Sequence, residues 1–309
     1  STGEPKKLLF SREQIKSSVN RSAEALHLRQ RMTAALCLDT QFIGGRMMVL
    51  RALILDMDLI CIDPVSEPFR FLPDDAIDFI AMVPLQLEKT LADTAQSLRF
   101  RKTGCTIIGG ASVNPLLAEK LNGNTRNVFQ TYGMTETLSH IALRNLSEGQ
   151  QRYQALNGVR IRLDERGCIT AHIEGFEKTI ITNDLGEIHE DGTFRWLGRA
   201  DNVINSGGKK FHPEILEERF APEAGNLTGL SSYFFIGTPD PMLGEKITLI
   251  LECDNPEAFK VAQLNTCLSR IFLRHEMPRE IRTIPAFLKT EGGKTDRKSS
   301  LQQSKTLYP

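Results

Sequence analysis

The stretch from Ile181 to Glu218, ITNDLGEIHEDGTFRWLGRADNVINSGGKKFHPEILEE, gathers several residue types that handle a phosphorylated sugar. Asp184 ends the apolar run Ile180-Ile181-Thr182-Asn183, where a carboxylate can accept both hydroxyls of a ribose. Arg199, in the element Gly198-Arg199-Ala200-Asp201, offers a forked donor to the same sugar. Asp191-Gly192 reads as a β-turn, and Ser206-Gly207-Gly208-Lys209-Lys210 as a glycine turn followed by two lysines. Taken singly, Asp184 is equally a surface turn aspartate, and Arg199 half of a surface salt bridge of little consequence. In this order, the set suits an enzyme that holds a nucleotide and swings a second domain over it.

Other segments add compatible chemistry. In Gln130-Thr131-Tyr132-Gly133-Met134-Thr135-Glu136-Thr137, the Thr135 hydroxyl can donate to a phosphate oxygen and Glu136 is a hard ligand suited to Mg²⁺. Tyr132 offers a flat face to a purine. The same residues also describe an ordinary strand-to-helix turn with a Thr cap. Gly109-Gly110-Ala111 lets a flat ligand approach the backbone, or is a tight strand-end turn. Ser1 to Lys6 can cradle phosphates or be a solvated end. Lys289 to Arg297 places Lys294 after a Gly-Gly pair, either as a reaching cation or as part of a mobile basic tail.

These residues need a scaffold. The chain has 309 residues, 40% hydrophobic and 25% charged, enough for one large domain and a smaller one. Lys+Arg and Asp+Glu are both 38, so no general field attracts nucleic acid or an anionic membrane. The most apolar region, Met47 to Ile62, is interrupted by Arg51, Asp56 and Asp58 and is too short to span a bilayer. The six scattered cysteines read as buried, reduced thiols of a cytoplasmic protein.

Strands and helices alternate through the first half. Ser11 to Arg31 is a helix with a Ser11–Gln14 capping box. Ala34–Leu38 is a strand, and Phe42 to Gly45 open a helix over Met47–Leu55. Strands follow at Leu59–Ile62, Ile77–Val83 and Thr106–Ile108, with helices from Pro84 and over Pro115–Leu121. Val128-Phe129 starts a strand leading into Thr131-Tyr132-Gly133. This is an α/β domain with a mainly parallel sheet. Short alternating strands at Val159–Leu163, Cys168–Ile173, Thr179–Thr182 and Thr193–Leu197 predict a small antiparallel lobe. A third region has a helix over Pro213–Phe220, strands at Tyr233–Ile236 and Lys246–Glu252, a helix from about Pro256 to Leu273, and a polar tail. The expected division is 1–200 and 201–309, the latter a smaller, mobile α+β domain.

The ordered motifs resemble the adenylate-forming superfamily of acyl-CoA synthetases, luciferases and peptide-synthetase adenylation domains. Thr131 to Glu136 matches Y-G-x-T-E. Asp184-Leu185-Gly186, Asp191-Gly192, Gly198-Arg199-Ala200-Asp201 and Ser206 to Lys210 match the following motifs. Lys289-Thr290, Gly293-Lys294 and Arg297 match P-K-T-x-x-G-K-x-x-R, and Ser1 to Lys6 the end of the phosphate loop. The resemblance implies acid activation by ATP, release of pyrophosphate, then thiol attack by coenzyme A. It places Thr2 and Lys6 on the β,γ-phosphates and Thr135 on the α-phosphate. Glu136 goes to Mg²⁺, and Gly110, Ala111, Thr131, Tyr132 and Gly133 to the nucleotide. Asp184 and Arg199 bind ribose in this scheme, and Asp201 is the hinge. Lys294 bridges carboxylate and α-phosphate, and Gly207 and Gly208 lie near the pantetheine path.

The sequence departs from the pattern at Asn183 (usually Gly), Phe42 (often His) and Leu288 (usually Pro). The short spacing and Phe-Ile-Gly-Gly-x-Met-Met resemble the superfamily's o-succinylbenzoate–CoA ligases of menaquinone synthesis. That reading makes Phe42, Arg46 and Arg51 candidates for the acid pocket, or leaves both arginines facing solvent. The implied partners are a small carboxylic acid, ATP/AMP and coenzyme A, with no nucleic acid and no membrane span. Another aryl or short acyl acid, a non-catalytic nucleotide-binding role and a homodimer all stay open.

Overall fold

The computed structural model describes residues 8–74, 76–113, 115–123, 125–254, 261–289 and 295–308. Thr2, Lys6 and Lys294 lie outside the described residues. Two compact units emerge: 1–113, 117–182 and 187–195 in the first, and 114–116, 183–186 and 196–309 in the second.

The first unit holds helices α1 (Arg12–Leu26) and α2 (Ile43–Leu55) and strands β1 (Thr33–Leu36), β2 (Asp58–Cys61) and β3 (Phe79–Met82). After these come α3 (Pro84–Ala92), α4 (Thr94–Phe100), β4 (Cys105–Ile108), α5 (Pro115–Leu121), β5 (Val128–Gly133), β6 (His140–Asn145) and β7 (Gln154–Ala155). The strands form one sheet in the order β2-β1-β3-β4-β5-β6-β7, parallel from β2 through β5, with β6 and β7 antiparallel. Both faces are covered, so successive strand residues enter different cores. Ala34, Leu36, Phe79 and Ala81 pack on one side, and Ala35, Cys37, Ile80 and Met82 on the other.

Local signals fix the first elements. Ser11 caps α1, and its reciprocal bonds with Gln14 measure 2.8 and 3.1 Å. The helix stops at Leu26, short of the expected Arg31, because His27 takes the left-handed conformation. Gly45 is required at the start of α2: a Cβ there would overlap the backbone carbonyl of Asp39. The six cysteines stand as thiols, but Cys61 is exposed and Cys267 only half-buried, against the expectation that all are buried.

Strands β8 (Val159–Leu163), β9 (Cys168–Ile173), β10 (Ile180–Ile188) and β11 (Phe194–Arg199) form a four-stranded sheet in the order β11-β10-β9-β8. β10 is longer than expected. Asp184 lies in its middle, not at the end of a strand, because Leu185 to Ile188 continue the extended backbone.

The second unit contains β12 (Ile204–Ser206), β13 (Lys209–Phe211), α6 (Pro213–Ala224), β14 (Ser232–Asp240) and β15 (Gly244–Glu252). It continues with α7 (Val261–Ile271), β16 (Glu280–Ile284), α8 (Arg297–Gln303) and β17 (Lys305–Tyr308). Its six-stranded sheet runs β13-β12-β15-β16-β17, with β14 also on β15. The polar tail expected after Leu273 is instead part of this sheet: β16 pairs in parallel with β15, and β17 antiparallel with β16. Among the described residues, no helix is long and apolar enough to cross a membrane.

Candidate nucleotide and acid site

The β2-β1-β3-β4-β5 order is that of a doubly wound sheet, whose ligand crevice lies beyond the carboxyl ends of the strands. The loops after β4 and β5 carry the motifs there. Gly109 has no room for a side chain, because a Cβ would stand 2.7 Å from Thr131 Oγ1. The Thr131 hydroxyl donates to the Ile108 carbonyl at 3.2 Å, tying the two strand ends together. Gly110 has φ +85, which a side chain would strain.

At Tyr132/Gly133 the β5–β6 register shifts. A Cβ on Gly133 would lie 2.6 Å from His140 Cα, so this crossing admits only glycine. The Thr135–Thr137 turn follows. Thr137 Oγ1 accepts the Met134 N–H at 2.9 Å and lies 2.6 Å from the Ser139 carbonyl. With the turn closed by buried Thr137, the Thr135 and Glu136 side chains are left exposed. Leu138 holds φ +66, a strained value for a branched residue, and its buried side chain packs with Val19 and Met47. Tyr132 is half-buried, its ring 5.3 Å from Phe194 and 5.8 Å from Tyr153 between centroids. Sequence reasoning missed both partners.

Arg46 and Arg51 diverge. Arg46 is exposed, and its Nε donates to the Thr40 carbonyl at 2.9 Å. Phe42 is 51% exposed at the N-cap of α2. Arg51 is 2% exposed and faces no solvent. Its Nη2 donates to Ser139 Oγ at 2.7 Å and Ser22 Oγ at 3.3 Å, and approaches His140 Nδ1 at 3.5 Å. Its Nε has no partner among the described residues. Burial lowers its pKa to about 10.

Because a guanidinium only donates, His140 Nδ1 must be the acceptor. The ring proton then sits on Nε2, 3.1 Å from Ser22 Oγ, and Ser22 donates onward to the Ser18 carbonyl at 3.1 Å. Burial, with the Arg51 and Arg21 charges, holds the His140 pKa well below its ordinary value. This neutral imidazole and the serines went unread in the sequence. The one available signal was Ser18 and Ser22, four apart on the buried face of α1.

In the second unit, Arg199 Nη2 meets Asp201 Oδ2 at 2.5 Å, while Nη1 stands 4.0 Å from Asp184 Oδ1. The bond to Asp201 raises the Arg199 pKa. Gly198 has φ +120, and a Cβ there would overlap the carboxylate of Glu214. Gly207 and Gly208, at φ +59 and +77, make the tight β12–β13 turn and leave Lys209 and Lys210 exposed. Arg297 forks onto Glu217, with Nη1–Oε1 at 2.8 Å and Nη2–Oε2 at 2.9 Å. Burial pushes the Glu217 carboxyl up to about 7, against the pull of Arg297. Among the described residues, no three metal-ligating side chains gather.

Comparison with known proteins puts this geometry in context. The family model for "AMP-binding enzyme" matches residues 1–173. A solved acyl-CoA synthetase (AMP-forming)/AMP-acid ligase II-like protein from Dyadobacter fermentans DSM 18053 is 36% identical. The match covers 98% of this chain and 87% of that one, with a TM-score of 0.61. The o-succinylbenzoate CoA synthetase of Bacillus subtilis, solved with its acyl-adenylate intermediate, has a TM-score of 0.83 at 19% identity, over 99% of this chain and 68% of that one, and so shares the fold. A 2-succinylbenzoate–CoA ligase of Geobacillus sp. (strain WCH70) is 23% identical over 91% of this chain, which spans 63% of that relative's length. The chain belongs to the AMP-binding enzyme family.

Proposed function

We propose that this chain carries the chemistry of an ATP-dependent carboxylic acid–CoA ligase that works through an acyl-adenylate, with o-succinylbenzoate as its acid. The observation that carries the reading is the pair of motif loops at the carboxyl ends of β4 and β5, in an AMP-binding family member. In the first step a carboxylate oxygen attacks the α-phosphorus of ATP, and the bond to the bridging oxygen breaks to release pyrophosphate. In the second, the thiol of coenzyme A attacks the acyl carbon and loses its proton, and AMP departs.

Bare backbone at Gly109 and Gly110 lets adenine lie against the β4 loop beside Ala111 and Tyr132. Thr135, exposed on its turn, donates to the α-phosphate. Glu136 would hold Mg²⁺, which supplies charge neutralisation on the phosphates. One carboxylate suits an ion that keeps waters and takes phosphate oxygens as its other ligands. Asp184 and Arg199 take the ribose, and Thr2 and Lys6 the β,γ-phosphates. Lys294 stabilises the transferring charge. Asp201 is the hinge between 1–200 and 201–309, which would let Lys294 serve one step and the Gly207-Gly208 turn the other.

The acid assignment draws on Arg51. A buried guanidinium bonded to hydroxyls and an imidazole, with no ion pair to a described carboxylate, is a receptor for an incoming one. Ser139, half-buried, offers its hydroxyl in front of that charge. Phe42 and Arg46 at the start of α2 complete the candidate wall. The test is pyrophosphate release with ATP and a panel of acids. Turnover with o-succinylbenzoate, and little with benzoate or acetate, is expected. Turnover with benzoate or acetate but not succinylbenzoate would remove the acid assignment and leave the ligase class standing.

A further inference from the structure

Asp201 is gripped on both carboxylate oxygens. Arg199 Nη2 holds Oδ2 at 2.5 Å, and Asn183 Nδ2 donates to Oδ1 at 3.2 Å. The other terminal nitrogen of Arg199 stands 4.0 Å from Asp184 Oδ1, too far for a hydrogen bond. One guanidinium therefore lies between two carboxylates and is committed to Asp201. The pair is open to a ligand, since the side chains of Arg199 and Asp201 are 48% and 54% exposed. Asn183 directly precedes Asp184 on β10, so the residue that steadies Asp201 is next to the residue read as the ribose acceptor.

We infer that Asn183 is a positioning residue that keeps Asp201 on Arg199, so that Asp201 and the nucleotide ribose compete for the same guanidinium. The inference rests on the nucleotide reading given above. Ribose binding then draws Arg199 from Asp201 and frees the hinge. By reciprocity, anything that frees Asp201 tightens the nucleotide.

Calorimetric titration of AMP into the parent protein, N183G, D201N and the double variant tests this, with thermal unfolding confirming that each folds. Each single variant is expected to bind AMP about 1.5- to 5-fold tighter, the range of one exposed ion-pair contact. The double variant should gain less than the sum of the two single gains, because both changes loosen the same Asp201–Arg199 contact. Weaker or unchanged binding in N183G, or full additivity in the double variant, overturns the inference. N183A repeats the test without adding a glycine to a strand interior. A parent that binds no AMP overturns the nucleotide reading itself, and the inference with it, before any variant is compared.

Discussion

Arg51 keeps its charge in surroundings that oppose it: burial lowers its pKa to about 10, and hydroxyl and imidazole dipoles are its partners. Removing it relieves that desolvation but leaves Ser22, Ser139 and His140 short of a donor, and the two effects oppose each other. R51M is therefore expected to stay within about 1–2 kcal/mol of the parent in urea unfolding. Its kcat/KM for o-succinylbenzoate should fall about 10- to 100-fold, the worth of one charge-assisted hydrogen bond. An equal loss with benzoate would show that Arg51 does not read the second carboxylate. Glu217 gives a prediction with a definite sign. Its folded pKa of about 7 lies above its ordinary 4.5, so between these values the folded state binds the extra proton. Its contribution to stability is full below about pH 4.5 and is lost as pH rises toward 7. Urea titrations from pH 4.5 to 7.5 should show that decline in the parent, with Arg297, Glu214 and Tyr233 as the neighbouring titratable or charged groups, and a flatter profile in E217Q. Parallel profiles would contradict the assignment.

At the scale of elements, backbone chemistry was the part most open to reading from sequence. The Ser11–Gln14 box was legible because both halves lie within four residues, and S11A should cost about 1 kcal/mol in urea unfolding. An unchanged midpoint would mean the cap is replaced by water. G133A should cost about 2–4 kcal/mol, since its neighbours at Ser139 and His140 are backbone atoms that cannot step aside. A loss under 1 kcal/mol would show that the β5–β6 bulge adapts. Less was legible where partners are distant in sequence. Ser22, Arg51 and Ser139-His140 come from α1, α2 and the start of β6, and nothing local announces that they meet. Asp184-Leu185-Gly186 looks like a turn by composition, yet the sheet draws it into the nine-residue β10. The stretch after Leu273 is polar enough to pass for a tail, but β15 recruits it through a parallel pairing that only the folded unit reveals.

For the whole molecule, motif order carried the family assignment, and the acid remained the open quantity. The sheet order β2-β1-β3-β4-β5 accounts for why loops as far apart as Gly109 and Thr135 belong to one edge. The same edge serves any acid the family activates, so substrate choice must come from side chains and not from the fold, and the proposal gives that part to Arg51. The central claim is that a carboxylate and ATP become an acyl-adenylate on this protein. Mass spectrometry of the reaction with ATP, Mg²⁺ and an equal mixture of o-succinylbenzoate, benzoate and acetate, in the absence of coenzyme A, tests it directly. The o-succinylbenzoyl-adenylate is expected as the dominant new mass, with an equal amount of pyrophosphate. Finding no adenylate of any acid, in protein that binds ATP, would contradict it.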